Sequence, residues 1–244
     1  RSSDLKQEFG FETQAIRNQL ERTQYLEHSV PLYLTSSFVF EDAEDMRASF
    51  AEEKERNIYS RFSNPNTSEF VEKICQMEGA EDGYAFATGM AAVYSTFAAL
   101  LNSGDHIVSA SSVFGSTHTL FTKYFPKWNI TTSYFDVNQP ETIENFILPN
   151  TKILYAESPT NPAVDILDLE LLGKIAKKHN LRVIEDAAHA LPTTYQGTLV
   201  GQLPSDVAVF SFYANKTMTT GEGGMVVSRH PEIMARCKIM RLHG

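Results

Sequence analysis

The chain has 244 residues, 42% of them hydrophobic, and a formal net charge of −9; that length suits one large α/β domain or two small ones. The acidic balance argues against nucleic acid, no apolar run approaches the ~20 residues that span a membrane, and no secretory signal opens the sequence. Cys75 and Cys237 lie far apart without metal-ligand spacing, which points to free thiols in a reducing compartment, the cytoplasm, and to no metal site.

Residues 1–60 are polar and mixed, and we expect them to form an extended and helical segment that contacts a partner subunit. Within it, the pattern predicts a helix at Phe11–Gln24, an extended apolar stretch at Pro31–Phe40 and a charged, solvated helix-like run at Glu41–Glu55. Residues 61–244 are expected to form the large domain. From Thr67 onward helical and apolar runs alternate regularly. Helices are predicted near Ser68–Met77, Met90–Leu101, Ser116–Phe125, Glu141–Phe146, Asp168–His179 and Pro231–Leu242. Short apolar runs at Tyr84–Ala87, His106–Ala110, Ile130–Phe135, Ile153–Ala156, Arg182–Ile184, Val207–Tyr213 and Met225–Val227 read as strands. The alternation implies an α/β fold: a three-layer sandwich with a mainly parallel seven-stranded sheet covered on both faces.

Four stretches carry chemistry. Tyr59-Ser60-Arg61 puts a guanidinium fork beside a phenol, a pair suited to a phosphate dianion, although a loop arginine at a rim would look the same. Ala87-Thr88-Gly89-Met90 lies at a strand-to-helix turn, where free N–H groups can cradle phosphate; a capped helix start has the same pattern. Val183-Ile184-Glu185-Asp186 ends an apolar run in an acid at a strand terminus, the place where open α/β sheets bind ligands. There Asp186 suits the ring nitrogen of a pyridine cofactor, or equally a helix cap. Lys216 follows the strand Val207–Tyr213 among small and hydroxyl residues before a glycine-rich exit. A desolvated lysine at that position can attack an aldehyde, whereas an exposed one would be an ordinary turn residue.

Read together, the motifs resemble enzymes of fold type I that depend on pyridoxal 5'-phosphate (PLP). YSRFSNPN, ATGMAA, SVFGST and ESPTNP, in that order, resemble the Cys/Met-metabolism PLP family, in particular its O-acylhomoserine sulfhydrylase branch, over roughly residues 12–180. This resemblance implies that Tyr59 and Arg61 reach the cofactor phosphate of a neighbouring subunit, acting in trans in a homodimer or homotetramer. It also implies that Gly89 and Met90 give backbone N–H groups to the phosphate and that Asn161 bonds the ring hydroxyl. Phe114 matches the aromatic residue that stacks on the ring. Many members have tyrosine there, and phenylalanine keeps the stacking without the hydroxyl. An acyloxy group leaves as a stable carboxylate and needs little protonation, so Phe114 fits an acylated homoserine.

EDAAHA and FSFYANKTMTTGEGG, within residues 182–244, resemble instead the DegT/StrS-type sugar aminotransferases. That likeness implies Lys216 as the residue bonded to the cofactor, Asp186 at the ring nitrogen, Ser211 on the phosphate and His189 beside the ring hydroxyl. A Cys/Met enzyme would be expected to show an asparagine-threonine pair after the aspartate and a serine-alanine-threonine run before the lysine. The mixture suggests a chimera, made or natural, or a divergent member. Both families continue into a further carboxyl-terminal domain, so the resemblance implies that this chain stops short of it. The leading expectation is γ-replacement on an O-acylhomoserine by a sulfur nucleophile. A sugar aminotransferase and a non-catalytic PLP-fold domain are the alternatives.

Overall fold

The computed structural model describes residues 10–17 and 22–242. Contacts divide the chain into two compact units, one ending at Met77 and one beginning at Glu78.

The first unit holds helices α1 (Phe11–Arg17), α2 (Ala43–Phe50) and nearly all of α3 (Pro65–Glu78). The helix expected to run to Gln24 lies partly outside the described residues, and residues 22–24 are not helical. Asp42 caps α2 by accepting the amide of Asp45 at 2.8 Å. The charged run around α2 is more than a solvated face. Asp45 is buried and bonded to Lys54 at 2.6 Å and to Arg56, while Arg47 bridges Glu44 and Glu53. Residues 31–40 are non-helical, form one isolated bridge from Ser37 to Tyr59, and are pinned by asparagines from the start of α3. Asn66 accepts the amide of Tyr33 at 2.8 Å and donates to the carbonyl of Pro31, while Asn64 donates to the carbonyl of Tyr33.

The second unit is built on a sheet of seven strands: β1 (Asp82–Phe86), β2 (His106–Ala110), β3 (Thr131–Phe135), β4 (Thr151–Glu157), β5 (Arg182–Asp186), β8 (Val207–Ser211) and β9 (Gly224–Ser228). Their spatial order is β1-β9-β8-β5-β4-β2-β3. Pairings among β3, β2, β4, β5 and β8 are parallel; β9 runs antiparallel to both β8 and β1. The expected α/β architecture and strand number are therefore observed. A separate hairpin, β6 (Thr194–Tyr195) and β7 (Thr198–Leu199), turns through Gln196 and Gly197, both at positive φ.

Three helices cover the sheet: α4 (Gly89–Leu100), α6 (Leu169–His179) and α7 (Pro231–Leu242). Thr88 caps α4 by accepting the amide of Ala91 at 3.0 Å, and Asp168 caps α6 by accepting that of Leu171 at 2.9 Å. Helix α6 ends with Lys177, Lys178 and His179 opposite the negative end of its dipole, and Asn180 closes it in the left-handed conformation. After β2 a short helix, α5 (Gly115–Thr119), runs on through a π turn into a 3-10 turn ending at Trp128. Its Phe121 and Phe125 meet Phe97 of α4 edge-on at 5.1 and 5.5 Å between ring centroids, and Tyr155 of β4 packs on Phe97 as well. This aromatic cluster fixes α4 over the sheet and so sets where its amino end points.

Candidate functional site: a cleft at the carboxyl ends of the parallel strands

Strand β2 connects outward to β3, while β4, its other neighbour, leads on to β5 and β8. At such a reversal the carboxyl ends of the strands open a crevice. A cleft of about 460 Å³ lies there, lined by residues from the ends of β4, β5 and β8, the start of α4 and the loop after β2.

The floor is Asp186. It is buried, accepts the Tyr155 hydroxyl and accepts the Ala188 amide at 3.2 Å. Burial raises its carboxyl above the usual range, and the Tyr155 hydroxyl, the Ala188 amide and the Lys216 charge oppose that rise. Beside it Glu157, 1% exposed, ends β4 and accepts the amide of Phe114 at 2.8 Å. Burial and the neighbouring Asp186 push Glu157 up to about 8. Asp186 has the better set of donors, so one negative charge shared between the two acids settles on it.

Lys216 enters from the loop after β8. Its Nζ lies 2.8 Å from His189 Nε2, and the amide nitrogen of Asn161 lies 3.2 Å from the same atom. Two donors on Nε2 require the proton of a neutral His189 to sit on Nδ1. Burial first, then the Lys216 charge, lowers the His189 pKa, so the neutral ring is favoured. Burial also lowers the amine of Lys216, which favours the unprotonated nucleophile.

The opposite end of the cleft is a helix start. The amides of Gly89 and Met90 open the first turn of α4 and have no acceptor within the helix. A Cβ on Gly89 would fall 2.8 Å from Cβ of Ser211, and one on Gly224 would fall 2.3 Å from the carbonyl oxygen of Thr88. Both glycines therefore let the amino end of α4 close onto β8 and β9 beside the Ser211 hydroxyl. Two open amides, a hydroxyl and a helix dipole make an anion cradle.

Of the residues predicted from sequence, Lys216, Asp186, His189 and Asn161 meet in this cleft, and Gly89, Met90, Ser211 and Phe114 line it too. Tyr59 and Arg61 belong to the other unit, where the guanidinium carbon of Arg61 lies 5.4 Å from the centroid of the Tyr59 ring. Sequence reasoning passed over Glu157, Tyr155 and Gly224. An acid closing an apolar strand, as Glu157 does, was the available signal for the first. No group of side chains able to hold a metal ion occurs among the described residues, and no described helix is long and apolar enough to cross a membrane.

Fold and cleft together define an open α/β protein that presents a lysine, a buried acid and an anion cradle at the carboxyl edge of its sheet. Sequence comparison gives the family: the model for "Cys/Met metabolism PLP-dependent enzyme" matches residues 12–241, and the chain belongs to that family. The matched span extends beyond residue 182. The chain is 36% identical over 237 residues to O-succinylhomoserine sulfhydrylase of Pseudomonas aeruginosa, covering 96% of this chain and 58% of that one. It is 34% identical over 225 residues to L-methionine gamma-lyase of Fusobacterium nucleatum, covering 90% and 55%. Among solved structures it is similar to one described as an O-acetylhomoserine (thiol)-lyase from Campylobacter jejuni, with a TM-score of 0.78, 30% identity and coverage of 92% and 55%. That structure carries a pyridoxyl-lysine monophosphate. The chain thus spans little more than half the length of the relatives it matches.

Proposed function

We propose that this chain is the PLP-binding portion of an enzyme that replaces or eliminates the γ-substituent of an amino acid, with an O-acylhomoserine as substrate and a sulfur compound as nucleophile. The observation that carries the reading is the convergence of Lys216, Asp186 and the α4 anion cradle in one cleft. The donor set fits the cofactor. Gly89, Met90 and Ser211 would hold its phosphate, Asp186 its ring nitrogen, Asn161 and His189 the edge bearing its hydroxyl, and Lys216 its aldehyde carbon; the Phe114 ring would lie on its face. When bound, PLP supplies an electron sink for the charge left as a substrate α-proton departs.

The chain's own residues divide the remaining work. Lys216 takes and returns protons at Nζ, and a lowered pKa suits an amine that must be a base near neutral pH. Neutral His189 accepts a hydrogen bond from Nζ and keeps the amine aimed into the cleft. Tyr155 holds the Asp186 carboxylate in place from below. Phe114 supplies a ring face and no proton, which suits a leaving group that departs as a carboxylate. Tyr59 and Arg61 would complete the phosphate site from a second copy of the chain, with the segment up to residue 60 in the subunit contact. Two thiols without a disulfide accord with the cytoplasm.

Transamination of a keto-sugar nucleotide is the second reading, supported by EDAAHA, SFYANK and the His189–Lys216 contact. The family match, which extends to residue 241, favours the amino-acid reading, and with it a divergent family member over a crossover chimera. Incubation of the PLP-loaded chain with O-succinylhomoserine and sulfide decides between them. Succinate release that depends on Lys216 is the expected result. Amino transfer to a keto-sugar nucleotide without succinate release would select the second reading, and inactivity on both would leave a cofactor-binding domain.

A further inference from the structure

Glu157 belongs to none of the motif roles above, yet it lines the cleft. We propose that Glu157 is a positioning residue that carries its own proton at neutral pH and anchors Phe114 over the cofactor plane through the Phe114 amide; the cofactor part of this inference rests on the function proposed above.

The loop from Ser111 to Phe114 crosses the gap between diverging connections, where no strand pairing can hold it. At one end the Ser111 amide donates to the carbonyl of Phe135, at the end of β3. At the other the Phe114 amide donates to Glu157 Oε2 at 2.8 Å, on the last residue of β4. The loop is therefore clamped from both sides of the reversal, and the second clamp is a side chain. Phe114 is 44% exposed and lines the cleft, so little packing fixes its ring from outside. Gly115 follows with open space around it and adds no side chain to the restraint.

The charge state follows from the neighbours. Asp186 and Tyr155 face Glu157 from β5 and β4, Lys216 and His189 approach from the loops after β8 and β5, and Glu222 lines the same cleft. Two buried acids side by side do not both ionise readily. Asp186 takes the charge, with a phenol and an amide donating to it. Glu157, with one amide, keeps its proton, in line with its upward displacement to about 8. A neutral Glu157 leaves Asp186 as the one carboxylate opposing a ring cation and accepts from Phe114 without adding a second charge beneath the ring.

Three variants and two readouts test this. Glu157→Gln keeps an acceptor for the Phe114 amide and the neutral state, so PLP affinity should stay within about threefold of the parent. Glu157→Ala removes the acceptor of the Phe114 amide and should weaken PLP about tenfold. In a Phe114→Ala background the Glu157→Ala change should cost almost nothing, because the residue acts through that ring. Equal losses in the Gln and Ala variants, or an undiminished loss without the Phe114 ring, would overturn the positioning role. Two measurements on the cofactor-free chain separate this inference from the proposed function. At pH 7 the protonated-carboxyl band of the infrared spectrum, to which buried Glu185 also contributes, should lose intensity in Glu157→Gln, and the Phe114 amide should exchange slowly in both. A band unchanged by the substitution, or a Phe114 amide already in fast exchange in the parent, would refute it even if PLP binds as expected. A chain with the band and slow exchange that does not take up PLP would refute the cofactor reading and leave the Glu157 clamp standing.

Discussion

At the scale of single residues, the cleft works by keeping charges few and placed. Burial shifts Lys216, His189 and Asp186 all toward their neutral forms, and the Tyr155 hydroxyl and Ala188 amide oppose that shift at Asp186. Removing the Asp186 acid should be costly in a specific way. Asp186→Asn should leave the fold intact, since the amide still meets the Tyr155 hydroxyl, but lose most turnover while PLP still binds. A variant with near-parental turnover would mean that no ring charge is managed at this position. Much of this was legible in the sequence because the residue types are rare in such places: a lysine beyond a strand end, an aspartate closing an apolar run, a glycine at a helix start. Glu157 and Tyr155 were passed over, although Glu157 closes an apolar run as Asp186 does, because both lie in the strand Thr151–Glu157 and their partners, the Phe114 amide and the Asp186 carboxylate, reach them only in the fold.

At the scale of elements, the anion cradle depends on how closely α4 approaches β8 and β9. Gly224→Ala should force Thr88 and the amino end of α4 away from β9, with a cost of roughly 1–3 kcal/mol for overpacking a site that has no slack. Chemical denaturation would read that cost, and weaker PLP binding should accompany it; unchanged stability would mean that the helix start has room to move. Each of the seven strands was visible as a short apolar run, and α6 as a helical run at Asp168–His179. The mainly parallel direction was visible, but the reversal of β9 was not. β9 is as apolar as the parallel strands, and the loop from Phe212 to Gly223 that leads into it from β8 holds no helical crossover. The hairpin of β6 and β7 was also missed, although Gln196-Gly197 held the turn signal, because two-residue strands leave no periodicity to read.

At the scale of the whole molecule, two consequences follow. The first concerns pH. Glu157 ionises at about 4.5 in an unfolded chain and about 8 in the fold, so the unfolded state binds fewer protons between those values. Stability from this group is fully present below about pH 4.5 and is lost as pH rises through about 8, at roughly 1.4 kcal/mol per pH unit. Glu185, raised to about 7 by burial, acts in the same direction. Thermal unfolding of the cofactor-free chain should therefore show stability falling between pH 5 and 8, with a shallower slope for Glu157→Gln; an identical slope would show that Glu157 does not titrate in this window. The second concerns assembly. If Arg61 serves a neighbour's phosphate, Arg61→Ala should weaken PLP about tenfold, and mixing it with a Lys216→Ala chain should restore tight sites in the hybrids. Equal loss in a proven monomer would place Arg61 in its own chain's site.

The central claim is that Lys216 is the residue to which the cofactor attaches. The direct measurement is the visible absorbance of the purified chain with added PLP, followed by borohydride reduction and peptide mapping. A reducible band, with the pyridoxyl group recovered on Lys216 and absent from Lys216→Ala, is the predicted result. A label recovered on another lysine, or no band at all under saturating PLP, would contradict the account.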